Sequence, residues 1–162
     1  MKVLFSRHAT PCERTSFFEN VDLSEQGRDE ARRLGLAYVE GEVDRIWASP
    51  LRRTAQTAEI AASVCGAEVE IEEQLIEIRH VRGDKPFERG QAVAEQVVLQ
   101  GGQHLAVVTH CGFLRYALTA AMHRDVSSRL DLPTAPCASV SELDLTSTGG
   151  ELVRLNDIAH LG

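Results

Sequence analysis

Three short apolar runs break off on polar or charged residues, and this pattern constrains the fold more than any other feature of the chain. Val3-Leu4-Phe5 stops at Ser6-Arg7-His8, Ile46-Trp47-Ala48 at Ser49-Pro50-Leu51-Arg52-Arg53, and Leu105-Ala106-Val107-Val108 at Thr109-His110-Cys111-Gly112. Runs of this length and composition suit strands covered on both faces. The two later runs lead into helix-like stretches, as in an α/β fold whose parallel strands end along one edge. Three such ends would bring two arginines and two histidines together, a set suited to a phosphoryl group. The predicted architecture is a three-layer sandwich, with a mostly parallel central sheet and helices on both faces.

The intervening segments fit that frame. Thr10 to Asp22 has no periodicity and reads as a loop beside the pocket. A helix then follows, with Ser24 as its N-cap and Ala31, Leu34 and Tyr38 as its buried stripe, and Gly41 ends it. Ser49-Pro50 reads as a second helix start, with a capping hydroxyl and then a proline at the first helical position. On that helix Arg52, Gln56, Glu59 and Ser63 share a polar row, whereas Arg53, Thr57, Ile60 and Val64 share a row that turns apolar. A cation heading a partly buried row needs an anionic partner, so Arg53 is the ligand candidate and Arg52 is solvated. A structural ion pair with a local acid is the alternative reading.

Gly66 stops this helix, and Glu68 to Ile71 alternates like a strand near a sheet edge. About 27 residues separate Glu77 from the strand at Leu105, close to the minimum for a crossover helix, so any cap over the pocket is short. Gln91 to Leu99 reads as that helix, closed by Gln100-Gly101-Gly102, and Gly112 to Met122 as another. An oxyanion near His110 would meet free N–H groups at the start of the latter. Ser139–Leu145 and Glu151–Leu155, joined through Thr148-Gly149-Gly150, read as an antiparallel edge hairpin.

At 162 residues and 43% hydrophobic, the chain is expected to form a single domain over residues 1–162. The formal net charge of −7 argues against nucleic acid or an anionic membrane as partner. The basic residues between Arg52 and Arg89 suit a small anionic ligand instead. No apolar stretch reaches the roughly 18 residues of a membrane span, and no signal peptide is evident, so a cytoplasmic monomer or homodimer is expected. Cys12, Cys65, Cys111 and Cys137 lack C-x-x-C spacing and read as reduced thiols. A zinc site from His8, His110 and Cys111 would lack the usual ligand spacing, and no metal or cofactor is expected.

The sequence resembles the histidine phosphatase (phosphoglycerate mutase-like) superfamily in four ordered blocks. Arg7-His8-Ala9-Thr10 is similar to its R-H-G-[ST] signature. Ser49 to Thr57 is similar to S-P-L-x-R-[AT]-x-[QE]-T, and Leu75-Ile76-Glu77 to L-x-E. Thr109 to Arg115 is similar to [ST]-H-G-G-x-[IL]-R. Ala9 and Cys111 replace small glycines. Arg79 to Gly90 departs from the family's cap region, and His80 reads as a solvated loop residue.

The resemblance implies a phosphatase in which His8 becomes a phosphohistidine. Arg7 and Arg53 would clamp the phosphate, with Thr10 and Cys111 also lining its site. His110 would donate to the transferring oxygens, and Glu77 would act as general acid. The chemistry is coherent. Guanidiniums pair with phosphate oxygens, and a neutral imidazole is a nucleophile near pH 7. On the residues alone, His110 could still be a core histidine, and Glu77 a surface or helix-capping acid. A small phosphorylated metabolite is the expected substrate. A protein phosphohistidine phosphatase with an open pocket and a non-catalytic phosphate-binding module are the alternatives, and mutase activity is not expected.

Overall fold

The computed structural model describes residues 1–100 and 104–162. The sheet has six strands: β1 (Lys2–Arg7), β2 (Arg45–Ala48), β3 (Glu68–Ile71), β4 (His104–Thr109), β5 (Val140–Thr146) and β6 (Gly149–Asp157). Their order is β3-β2-β4-β1-β5-β6. The first four run parallel, and β5 and β6 form an antiparallel hairpin against β1. The helices are α1 (Glu25–Glu40), α2 (Arg52–Cys65), α3 (Pro86–Gln100) and α4 (Cys111–Ala121).

Alternation along the buried strands supplies two cores. Val3, Phe5, Trp47, Leu105 and Val107 face α3 and α4, where they meet Val93, Val97, Phe113, Leu114 and Leu118. Leu4, Ile46, Ala48, Ala106 and Val108 point the other way, onto Leu34, Tyr38, Ala58 and Ala61 of α1 and α2. This explains why the central runs are apolar throughout: each has helices on both sides. Each large aliphatic side chain buried this way contributes about 1.5–3 kcal/mol. Tyr38 also donates its hydroxyl to Ser6 Oγ at 2.9 Å, which satisfies a polar pair inside the second core.

Several boundaries differ from the sequence reading. Helix α3 begins at Pro86 rather than Gln91, because proline fits the first helical position, where its missing N–H costs nothing. Its predicted stop at Gly101-Gly102 lies outside the described residues. Gly149 and Gly150 belong to β6 rather than to the turn. The N-cap of α2 is Leu51, without a side-chain cap; the Ser49 hydroxyl is used elsewhere. Ser24 caps α1 as read, accepting from the Gly27 N–H. Gly27 itself must lack a side chain, since a Cβ there would stand 2.0 Å from the Thr10 carbonyl oxygen. The first turn of α1 thus presses on the loop leaving β1.

Candidate active site

Strand β4 lies between β1 and β2, so the ends of all three are adjacent. The His8 N–H bonds the Thr109 carbonyl at 2.9 Å, and the Ser49 N–H bonds the Val108 carbonyl at 3.2 Å. His8, Ser49 and His110 therefore emerge side by side, and the two imidazole rings meet edge to face with centroids 5.3 Å apart. Arg53 enters from the first turn of α2. It is 1% exposed, whereas the side chain of Arg52 is 59% exposed and paired with Asp22 at 2.8 Å. The row argument separated the two arginines correctly.

Arg7 Nε, Arg53 Nε and Nη1, and His110 Nδ1 are buried without a hydrogen-bond partner among the described residues. Orphaned donors in a protein interior are costly and uncommon. Here they lie at one strand edge, and their chemistry is complementary to a polyoxyanion. Arg7 is held in place by its Nη1, which donates to the Ala135 carbonyl at 2.7 Å.

The histidines have distinct hydrogen-bond settings. His8 Nδ1 lies 2.7 Å from the Ala9 carbonyl oxygen. A carbonyl only accepts, so Nδ1 carries the hydrogen and Nε2 keeps its lone pair. Burial pushes the His8 imidazole down to about 3, reinforced by Arg7, Arg53 and Arg14 and opposed by that bond to Ala9. His110 Nε2 lies 2.7 Å from Ser49 Oγ and 3.1 Å from Thr54 Oγ1. If one of these hydroxyls donates to the Nε2 lone pair, the His110 proton sits on Nδ1, which has no partner among the described residues. Burial, with the His8 ring and the Arg53 charge close by, holds His110 well below the usual histidine range. Burial and Arg14 lower Arg53 to about 10, still charged at neutral pH.

These shifts have a consequence for stability. As pH falls from about 6.5 towards 3, the unfolded chain takes up a proton that folded His8 refuses, so stability falls across that window. Urea unfolding at pH 7 and pH 4.5 is expected to show a smaller loss in His8→Gln than in the wild type. Equal losses in both would show that His8 does not titrate in this way.

Glu77 is buried, yet not as an isolated carboxyl among apolar side chains. Its Oε1 accepts from the N–H groups of Ile78 at 2.8 Å and Phe113 at 2.9 Å, and Oε2 accepts from Gly112 at 3.2 Å. The carboxylate thus caps α4, and the N–H groups of Gly112 and Phe113 that were expected to await an oxyanion already serve it. A Cβ at Gly112 would stand 2.6 Å from Oε1, so glycine is what lets the carboxylate approach. Thr109 Oγ1 donates to the Leu75 carbonyl at 2.6 Å, which ties this segment to the end of β4.

Two sequence-predicted phosphate contacts fare differently. The Thr10 N–H and hydroxyl both donate to Glu30, at 2.8 and 3.0 Å, so neither is free for a phosphate. Cys111 is the half-buried first residue of α4. His80 is not simply solvated: it packs against Phe17 and Phe18, with ring centroids 5.3 and 5.4 Å away. The loops on either side of the site therefore touch.

The sequence reading missed Arg14, whose charge bears on His8, Arg53, His80 and His110. It lies in an aperiodic loop with no local signal. Ser49 was noticed, but as a helix cap. Among the described residues, no group of three or more His, Cys, Asp or Glu could hold a metal ion.

Two histidines and two arginines thus gather where the parallel strands of an α/β sheet end. The sequence model of the histidine phosphatase superfamily (branch 1) matches residues 3–86 and 83–158. The chain belongs to that superfamily. It is 32% identical over 124 residues to phosphoserine phosphatase 1 of Hydrogenobacter thermophilus, covering 67% of this chain and 59% of the relative. Thus the chain spans only about 59% of the length of that curated relative.

Solved structures with the same fold include a mycobacterial glucosyl-3-phosphoglycerate phosphatase. It has a TM-score of 0.83 and 18% identity, with 97% of this chain and 99% of that one covered. A mutant phosphoserine phosphatase from Entamoeba histolytica superposes with a TM-score of 0.78 at 15% identity, covering 99% of each chain. Among the described residues, no helix is long and apolar enough to cross a membrane.

Proposed function

We propose that the protein is a cytoplasmic phosphatase that hydrolyses small phosphomonoesters through a phosphohistidine on His8, without a metal. The observation that carries this reading is the set of orphaned donors on Arg7, Arg53 and His110 around an imidazole whose Nε2 is free. His8 Nε2 attacks phosphorus, and the bond to the leaving oxygen breaks. The two guanidiniums and His110 Nδ1–H hold the equatorial oxygens as charge shifts in the transition state. Glu77 gives the leaving alkoxide a proton. In the second step it accepts one from the water that attacks the phosphohistidine, regenerating free His8. Of its oxygens Oε2 is the freer to carry that proton, since its one hydrogen bond is long.

The relatives support a small substrate, because phosphoserine and glucosyl-3-phosphoglycerate, named for them, are small phosphomonoesters. Four free thiols fit a reducing compartment.

Turnover of a panel of metabolite phosphates is expected to persist undiminished in EDTA, since arginine and histidine supply the positive charge. Vanadate, which mimics five-coordinate phosphorus, should inhibit; a structural relative is complexed with VO3. Activity lost in EDTA and restored by zinc or magnesium would overturn the metal-independent chemistry. Faster turnover of a phosphohistidine protein than of any metabolite would overturn the substrate class.

A further inference from the structure

Arg89 lies outside the set of phosphate ligands, yet its guanidinium is nearly buried, with the side chain 12% exposed. Its Nη1 donates to two carbonyls, those of Gln74 and Ile76, both at 2.6 Å. Nε and Nη2 form a fork onto Asp84 at 3.1 and 2.7 Å. The carbon at its centre sits 4.0 Å from the centroid of the Phe113 ring. These contacts share a target. The Ile76 carbonyl belongs to the peptide bond that leads into Glu77, and the Phe113 N–H is one of the donors holding Glu77 Oε1.

We infer that Arg89 is a positioning residue for the Glu77 carboxyl, fixing it from both sides. It grips the backbone that enters Glu77 and stacks on the residue that caps it. The sequence between the short 3-10 turn at Glu73–Leu75 and α3 has no regular structure of its own to do this. A planar fork with donors in fixed directions is suited to bracing carbonyls and a carboxylate at once, which a lysine cannot reproduce. This inference rests on Glu77 being the general acid. It differs from a merely structural ion pair with Asp84 in one respect: its loss must resemble a defect in Glu77.

The test is single-turnover phosphorylation of the enzyme by an alkyl phosphate and by p-nitrophenyl phosphate, in Arg89→Lys, Glu77→Gln and the double variant. The alkoxide needs a proton to leave, whereas nitrophenolate scarcely does. Glu77→Gln is therefore expected to slow the alkyl substrate by roughly 10²-fold or more, and the aryl substrate far less. Displacement of the acid by about 1 Å in Arg89→Lys should cost the alkyl substrate about 10-fold or more, with little loss on the aryl one. In the double variant Arg89→Lys should add almost nothing to Glu77→Gln.

Equal losses of Arg89→Lys on the two substrates, or losses additive with Glu77→Gln, overturn the positioning role. Should Glu77→Gln slow both substrates equally, the acid assignment fails, and the coupling between the two residues still decides the role of Arg89. A Glu77→Gln enzyme at full speed on both overturns both readings. Asp84→Asn, which loosens the fork but leaves the cation, supplies a milder second variant and should show the same selectivity if Arg89→Lys does not fold.

Discussion

A His8→Ala enzyme is expected to yield no labelled phosphoprotein on rapid quench, and to lose turnover by roughly 10⁴-fold or more, as removal of a nucleophile does elsewhere. In the wild type, the trapped label should be acid-labile and alkali-stable, as a phosphorus–nitrogen bond is. The structure distinguishes the two histidines on chemical grounds. His8 donates from Nδ1 to a carbonyl that can only accept, so Nε2 must be the basic nitrogen. Burial and three arginines keep the ring neutral at physiological pH, so that acting as a nucleophile would require no deprotonation step. His110 has its Nε2 engaged by Ser49 and Thr54, and presents Nδ1. A His110→Ala enzyme should therefore still become labelled, only more slowly. A label that survives in His8→Ala, or one that vanishes from His110→Ala alone, would reverse the assignment.

What the sequence could show was whatever local periodicity encodes. The strand ends at His8 and His110 were legible because apolar runs stop where strands leave a core, and parallel strands stop along one edge. The division between Arg52 and Arg53 was legible because helical spacing puts adjacent residues on different faces. Glu77 was legible only as a choice between a general acid and a surface or helix-capping acid, because its partners are N–H groups of α4, brought in only by the packing of that helix beside the segment after β3. The same holds for Ser49. A serine before a proline looks like a helix cap, and only the neighbouring strand reveals that its hydroxyl supports His110. Arg89 had no local signal at all, because each of its partners depends on tertiary contact. Helix α3 was read as starting five residues too late, because the proline was not credited as a start.

The second large effect concerns Arg53, where function and stability should diverge. Arg53→Met keeps an apolar stem in the cavity and removes the guanidinium. Turnover is expected to fall by about two orders of magnitude, close to 3 kcal/mol of transition-state stabilisation, since one charge-assisted clamp on the transferring phosphoryl is lost. Arg52→Ala is the control. That residue is half in solvent and tied to Asp22, and most activity should remain.

Stability should move the other way. Nε and Nη1 of Arg53 are buried without partners among the described residues, and burial outweighs the attraction of Glu77 in lowering its pKa, so this buried charge destabilises the fold unless an anion pairs with it. Arg53→Met is therefore expected to melt no lower than the wild type in phosphate-free buffer. Adding vanadate or phosphate supplies the missing anion. Binding to the folded state alone raises its stability by an amount set by the ratio of ligand concentration to Kd. The wild type should thus gain melting temperature as vanadate is added, and Arg53→Met should gain much less. A variant that melts well below the wild type without ligand would show that Arg53 is a structural cation with a partner in the protein. One that retains the full vanadate shift would show that Arg53 does not bind the phosphoryl group.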